Sequence, residues 1–156
     1  MEPQPNDLKA IRILYLALLA GQVIFALIVT VLVETGTLAG GNNLLTTILQ
    51  VALIVMAAGA IPASFFLFRK RLSDINPEEE LGKKLEEFRA ALILRMALCE
   101  FPAMFAIIAY FITHDRSFLW MVIILIGHFL FIYPSNNKII GSLQLNSSEQ
   151  SSLGMN

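Results

Sequence analysis

Three polar side chains lie inside long apolar stretches of this sequence: Glu100, His128 and Gln22. An ionised carboxylate in an apolar medium is so costly that Glu100 must either find a partner or take up a proton. His128 can act as that partner, because an imidazole titrates near neutral pH. Gln22 is a lone amide, for which an interhelical hydrogen bond is the expected role. These three residues form the candidate proton, ion or buried polar site.

Glu100 and His128 are predicted to lie at similar depths. At 1.5 Å per helical residue, Glu100 is about 12 Å from a boundary near Leu92, and His128 is about 8 Å from one near Tyr133. We therefore expect the two side chains to be partners. The pair can fix the register of the helices, or it can exchange a proton.

Two prolines modify the helices of this site. Pro102 removes the amide that would bond the carbonyl of Leu98, so it predicts a kink within one turn of Glu100. Pro62 predicts a similar kink in an earlier stretch. Both prolines can instead serve helix packing, a common role in membrane helices.

Arg95 and Cys99 lie close to Glu100 in the sequence. Arg95 is five residues before Glu100, about 140° away around a helix, and is predicted to reach the membrane interface; an interior ion pair is the alternative. Cys99 points about 100° away from Glu100, which disfavours an acid and thiol pair. As the only cysteine, it predicts no intrachain disulfide and no cysteine metal site.

The stretches that carry these residues are predicted to be membrane spans. Hydrophobic residues make up 56% of the chain and charged residues 15%, a balance typical of membrane proteins. Backbone groups in hydrocarbon must be satisfied within a helix when no strand alternation is present. The sequence therefore predicts an all-α integral membrane bundle of four transmembrane helices, at about 11–33, 44–68, 90–113 and 118–133. Trp120 and Tyr133 are predicted to lie at the membrane interfaces.

Lysine and arginine predict the orientation of the bundle. They concentrate before the first stretch, between the second and third, and after the fourth, and only Arg116 lies on the opposite side. This distribution places both termini in the cytoplasm. Residues 1–142 are predicted to form one four-helix transmembrane domain, and the serine-rich segment 143–156 a disordered cytoplasmic tail.

The loop before the third stretch is predicted to contain a helix that leads into the membrane. Asn76 reads as an N-cap, Pro77 as the first helical residue, and the glutamates that follow suit the positive end of the helix dipole. The simpler interpretation is a solvated helix that only leads the chain into the membrane. The alternative is a docking surface for a cytoplasmic partner.

A weak internal repeat relates the first and third stretches. Residues 14–28 and 94–108 align at an offset of 80 with six identities. This similarity indicates a duplicated helical hairpin, with both copies in the same orientation.

Segment 88–110, in which Glu100 is followed by Phe101 and Pro102, resembles the carboxylate-bearing helix of rotary ATPase proteolipids. That resemblance implies that Glu100 carries a translocated ion. The chain departs from the pattern in 44–68, which has a single glycine where proteolipids are glycine-rich. As a whole, the chain resembles uncharacterised four-helix proteins of bacterial inner membranes, which implies that location and no activity.

Three classes of function follow from these observations. The first is an accessory or structural membrane protein with a buried polar site around Glu100 and His128. The second is a proton-coupled transporter or ion-conducting oligomer, in which Glu100 titrates. An intramembrane enzyme is not expected, because one acid and one imidazole lack a nucleophile or a second pair of metal ligands. The expected partners are the lipid bilayer and a homo-oligomer or larger membrane complex, with no nucleic acid, cofactor or metal.

Overall fold

The computed structural model of the protein describes residues 5–36, 43–76 and 78–154. Six helices and no strands occur in these ranges, which confirms the all-α prediction there. The helices are α1 Pro5–Glu34, α2 Asn43–Ser73, α3 Leu81–Thr113, α4 Ser117–Phe131, α5 Asn136–Leu143 and α6 Ser147–Ser152.

Three of these helices, α1, α2 and α3, are long and apolar enough to cross a membrane. Helix α4 has 15 residues, which is roughly 22 Å and short of the ~30 Å hydrocarbon core of a bilayer. It qualifies only together with α5, across a bend of 62°. The described chain thus holds three candidate spans, or four if the bent pair counts as one. Such helices are compatible with a multi-pass membrane protein.

Helix α3 is the central element of the bundle. It packs against α1, α2 and α4. In the most apolar 18-residue stretch of α3, 44% of the residues are buried. In the most apolar stretches of α1 and α2, only 17% and 11% of the residues are buried. The outer faces of α1 and α2 are therefore apolar and exposed, as a lipid environment requires.

Helices that follow one another in the sequence run antiparallel, so α1 and α3 are parallel to each other. Tyr15, near the start of α1, stacks on Phe129, near the end of α4, with ring centroids 5.0 Å apart. Glu34, at the end of α1, pairs with Arg116, just before α4. We call the end with Tyr15 and Phe129 the lower end, and the end with Glu34 and Arg116 the upper end. The segments that follow α4 lie at the lower end.

The interior is divided into two apolar clusters. The lower cluster includes Ile11, Tyr15, Phe68, Phe88, Leu92, Met96, Cys99, Phe129, Ile132 and Ile139. The upper cluster includes Val29, Val33, Leu53, Ala103, Ala106, Ile107, Tyr110, Phe118, Val122 and Leu125. Helices α1 to α4, called the four long helices below, each contribute to both clusters. Each of them therefore crosses the level at which one cluster ends and the other begins.

The start of α3 differs from the prediction. Helix α3 begins at Leu81, with Glu80 as its N-cap residue, and not at Pro77, which lies outside the described residues. Asn76 caps a turn, because its side-chain Oδ1 accepts from the backbone N–H of Glu78 at 3.0 Å. An asparagine that bonds its own neighbours favours a turn over a helix start. From Leu81 the helix continues unbroken into the predicted third span.

The segment 143–156, for which the sequence predicts a disordered tail, contains helix α6 in its described part. The N-terminus of α6 is capped by a capping box, in which the side chains of Asn146 and Glu149 each accept a hydrogen bond from the other's backbone N–H. Leu145 and Leu153, on either side of α6, are buried in the lower cluster. Serine content alone suggested disorder, whereas the capping box and two anchoring leucines supply local and tertiary order.

Helices α2 and α3 continue through Pro62 and Pro102. Pro102 is buried on the inner face of α3, and Pro62 is exposed. The kinks expected at these residues stay predictions.

Candidate functional site

The level between the two clusters carries polar residues from all four long helices. On α1, Gln22 lies between Leu19, which packs on the lower cluster, and Phe25, which packs on the upper one. On α2, Ser64 lies between Ile61 on the upper side and Phe68 on the lower side.

The other two helices repeat this arrangement. On α3, Glu100 falls between Cys99 of the lower cluster and Ala103 of the upper cluster. On α4, His128 falls between Leu125 of the upper cluster and Phe129 of the lower cluster. We call these four residues the polar layer: Gln22, Ser64, Glu100 and His128. Two members of the layer, Glu100 and His128, are the residues for which the sequence predicts similar depths.

One hydrogen bond of the layer joins two helices directly. The thiol of Cys99 donates to the hydroxyl oxygen of Ser64 at 3.3 Å, and both residues are buried. The Ser64 hydroxyl in turn donates to the backbone carbonyl of Ile61 at 2.7 Å. The hydroxyl proton of Ser64 is therefore used within α2, while its oxygen links α2 to α3.

Gln22 is the most deeply buried member of the layer, with 1% of its surface exposed. Neither its amide nitrogen nor its amide oxygen has a hydrogen-bond partner among the described residues. The interhelical hydrogen bond expected for this residue is thus missing there. A buried amide without partners costs roughly 1–3 kcal/mol, so this position opposes the stability of the isolated bundle.

Glu100 and His128 share the layer without a hydrogen bond or ion pair between them in the described part of the chain. Both side chains are half-buried. Glu100 stands at the edge of the buried face of α3, since Met96 and Ala103 are buried while Phe101 is exposed. The expected partnership of these two side chains thus stays a prediction.

Tyr15 is a polar residue of the interior that the sequence did not single out. Its hydroxyl donates to the backbone carbonyl of Phe129 at 2.6 Å. Its ring also meets Tyr133 edge to face, with centroids 5.3 Å apart. A tyrosine in an apolar run was the available indication, because a buried hydroxyl normally finds a partner.

The upper end is held by polar contacts between helix termini. Arg116 donates to both carboxylate oxygens of Glu34, at 3.1 and 3.2 Å. Gln50 of α2 donates to the hydroxyl of Ser117 at 2.8 Å. Hydrogen bonds from the Ser117 side chain and backbone lower the pKa of Asp115 below its usual range. Trp120, the predicted interface anchor, is exposed near this end.

The lower end contains a buried ion pair. Lys84 Nζ lies 2.8 Å from Glu149 Oε1, and the two side chains are 3% and 15% exposed. Burial acts to raise the pKa of Glu149, but hydrogen bonds from Lys84 and the Asn146 backbone, with the charge of Lys84, outweigh it and lower that pKa. The pair ties α6 to the first turn of α3.

Arg95 also lies toward the lower end. Its guanidinium carbon is 4.7 Å from the ring centroid of Phe68 and 5.8 Å from that of Phe65. No carboxylate pairs with Arg95 within the described ranges, so the alternative of an interior ion pair with Glu100 is not what the structure holds.

The described residues include no group of three or more His, Cys, Asp or Glu side chains placed to bind a metal. Comparisons of the chain with protein-family models, with curated proteins and with solved structures found no match. The site is therefore interpreted from its own geometry.

Proposed function

We propose that this chain is a small multi-pass accessory or structural membrane protein whose polar layer fixes the register of its helices. The observation that carries the proposal is that each of the four long helices places one polar residue at the junction of the two apolar clusters. A single polar layer in an apolar bundle is a known device for specifying register.

The physical argument depends on the cost of misplacing a polar group. A slip of one helical turn, about 5.4 Å, would move a layer residue into an apolar cluster. Burying the half-buried carboxyl of Glu100 or imidazole of His128 there without partners costs at least roughly 1–3 kcal/mol. Gln22 adds no such cost, because its amide already lacks partners among the described residues. The layer thus disfavours shifted packings even where it does not stabilise the native one.

The location and topology are part of the same proposal. We propose that α4 and α5 together form a fourth span and that both termini are cytoplasmic in a bacterial inner membrane. The lysine and arginine distribution supports the orientation, and resemblance to four-helix inner-membrane proteins supports the location. Duplication of a hairpin is proposed from the repeat between 14–28 and 94–108.

The exposed faces of α1 and α2 indicate the partners. They carry large apolar side chains, among them Leu27, Val31, Val55 and Phe66. We propose that these faces contact lipid and that part of them supports a homo-oligomer or larger membrane complex.

Cross-linking tests the register directly. In a Cys99→Ala background, Glu34→Cys with Arg116→Cys reports the native register, and Thr30→Cys with Arg116→Cys reports a slip of one turn. With the polar layer intact we expect a short bismaleimide to join only the first pair. In a background with Gln22→Leu, Glu100→Leu and His128→Leu, we expect the second pair to react as well. An identical cross-linking pattern in both backgrounds would refute the register role.

The second candidate is a proton-coupled transporter or ion-conducting oligomer. It is favoured by one observation, the carboxyl of Glu100 and the imidazole of His128 at one level of the bundle. Proteoliposomes with a trapped pH-sensitive dye separate the two functions. The structural proposal expects the wild type and Glu100→Gln to acidify no faster than empty vesicles. Flux in the wild type that Glu100→Gln abolishes, at unchanged thermal stability, would favour transport.

A further inference from the structure

A cavity of about 300 Å³ opens at the lower end between α2, α3 and the end of α5. Its polar lining consists of Arg69, Ser73, Arg95, Ser142 and Gln144, and its apolar wall includes Phe65 and Phe68. Two guanidinium groups, two hydroxyls and an amide thus converge on one small space. The guanidinium groups, the Ser142 hydroxyl and the Gln144 amide can donate hydrogen bonds to an anion, whereas the Ser73 hydroxyl already donates to the Lys70 carbonyl at 2.7 Å.

The two arginines are positioned by aromatic rings and not by carboxylates. The guanidinium carbon of Arg69 is 4.4 Å from the centroid of the Phe65 ring. Arg95 lies over Phe68 at 4.7 Å. Within the described ranges neither arginine has an ion-pair partner, and the Nε of Arg95 is buried without an acceptor. The cavity therefore presents positive charge and unused donors held in place by packing.

The position along the helices favours a ligand at the membrane boundary. Arg69 follows directly on the apolar part of α2, and Lys70 and Arg71 continue the basic run. Phe65 and Phe66, just before Arg69, are 47% and 67% exposed. Exposed rings beside a basic pocket suit a molecule that has both an acidic headgroup and an acyl chain.

We propose that this cavity binds the phosphate group of an anionic phospholipid. Arg69 and Arg95 provide the charge, since a guanidinium forms paired hydrogen bonds with phosphate oxygens. Ser142 and Gln144 add further donors, and the acyl chains lie along Phe65 and Phe66. The site is separate from the polar layer and depends only on the chain being in a membrane.

Native mass spectrometry of the detergent-solubilised protein, titrated with phosphatidylglycerol, tests this site. We expect one saturable lipid adduct in the wild type. Arg69→Gln and Arg95→Gln should each weaken it about tenfold, because each removes a charge-assisted hydrogen bond. Lys70→Gln is the matched control, since Lys70 is exposed, adjacent to Arg69 and does not line the cavity. The lipid affinity of this variant should stay within about twofold of wild type.

Inorganic phosphate distinguishes a lipid from a free anion. If the site is for lipid, millimolar phosphate should not displace the phosphatidylglycerol adduct. Phosphate that binds as tightly as the lipid and displaces it would overturn the lipid proposal in favour of a free-anion site. Equal lipid affinity in the wild type and both arginine variants would overturn the site itself.

Two milder variants keep the test decisive if an Arg→Gln protein does not fold. Arg95→Lys retains the charge but loses the planar fork, and Ser142→Ala removes one hydroxyl at the surface of the cavity. Both should reduce lipid affinity less than Arg95→Gln does. Unchanged affinity in both folded variants would contradict the proposal.

Discussion

The thiol of Cys99 donates a hydrogen bond to the Ser64 hydroxyl across the interface of α2 and α3, at 3.3 Å. Both residues are buried, and the contact lies where the two apolar clusters meet. The contact joins side chains 35 residues apart in sequence. It identifies α2 and α3 as the pair of helices most directly linked at this level.

A double-mutant cycle on this contact should give a small favourable coupling. The double variant Ser64→Ala with Cys99→Ala should lose about 0.6 kcal/mol less unfolding free energy than the two single variants lose in sum. That coupling is typical of hydrogen bonds between membrane helices. Thermal unfolding in detergent micelles provides the measurement. Ser73→Ala is the control, because its exposed hydroxyl bonds only the Lys70 carbonyl of its own helix. A coupling of zero would show that the contact contributes nothing to stability.

Replacing Gln22 by leucine should stabilise the protein. The buried amide has no partner among the described residues, and an apolar side chain of similar size removes a desolvation cost of roughly 1–3 kcal/mol. Gln50→Leu is the matched control and should destabilise, because Gln50 donates to Ser117 at 2.8 Å. Both variants can be compared by their thermal midpoints in one detergent. Loss of stability in Gln22→Leu would indicate that the amide is satisfied by a group such as water or a partner subunit.

Breaking the ion pair of Lys84 and Glu149 should be costly. Glu149→Gln leaves Lys84 buried and unpaired, for which a loss of about 3 kcal/mol is expected. Replacing both residues, with Lys84→Met and Glu149→Leu, should recover most of that loss, because no uncompensated charge then remains. The control is Lys83→Met, since Lys83 is exposed and pairs with Glu79 at 3.8 Å; it should change stability by less than about 0.5 kcal/mol. Equal effects of Lys83→Met and Glu149→Gln would contradict this expectation.

The same pair predicts a loss of stability in acid. The folded protein lowers the pKa of Glu149, so its contribution is fully present above the ordinary glutamate pKa of about 4.3. It is lost as the pH falls from that value through the lower pKa of the folded state. Asp115, whose pKa is also lowered, contributes to the pH dependence of stability in both the wild type and Glu149→Gln. The unfolding midpoint should therefore fall less steeply below pH 5 in Glu149→Gln than in the wild type; parallel curves would argue against the pair.

The sequence predicted the long apolar helices better than the contacts between them. Length and apolar content were sufficient for α1, α2 and α3, because hydrocarbon leaves a spanning segment few alternatives to a helix. Glu100, His128 and Gln22 were identified because polar groups are costly in such segments. Their common level follows from counting residues, but whether two side chains touch depends on helix rotation, which no local pattern specifies.

The differences between the sequence-based predictions and the structure have separate physical causes. At the start of α3, Asn76 has two competing roles, helix cap and turn, and the choice depends on where the chain must lead. At 143–156, attention to the serines hid the capping box of Asn146 and Glu149. The partners of Tyr15 and Lys84 lie 114 and 65 residues away, so only the folded bundle reveals them.

The ion pair at the lower end also bears on how the protein is made. Glu149 and Leu153 complete packing around α3, yet they are synthesised after all four long helices. While the ribosome is still translating, the lower cluster is open and Lys84 lacks its counter-charge. The packing of the lower cluster can therefore be completed only after α1 to α4 have all been synthesised.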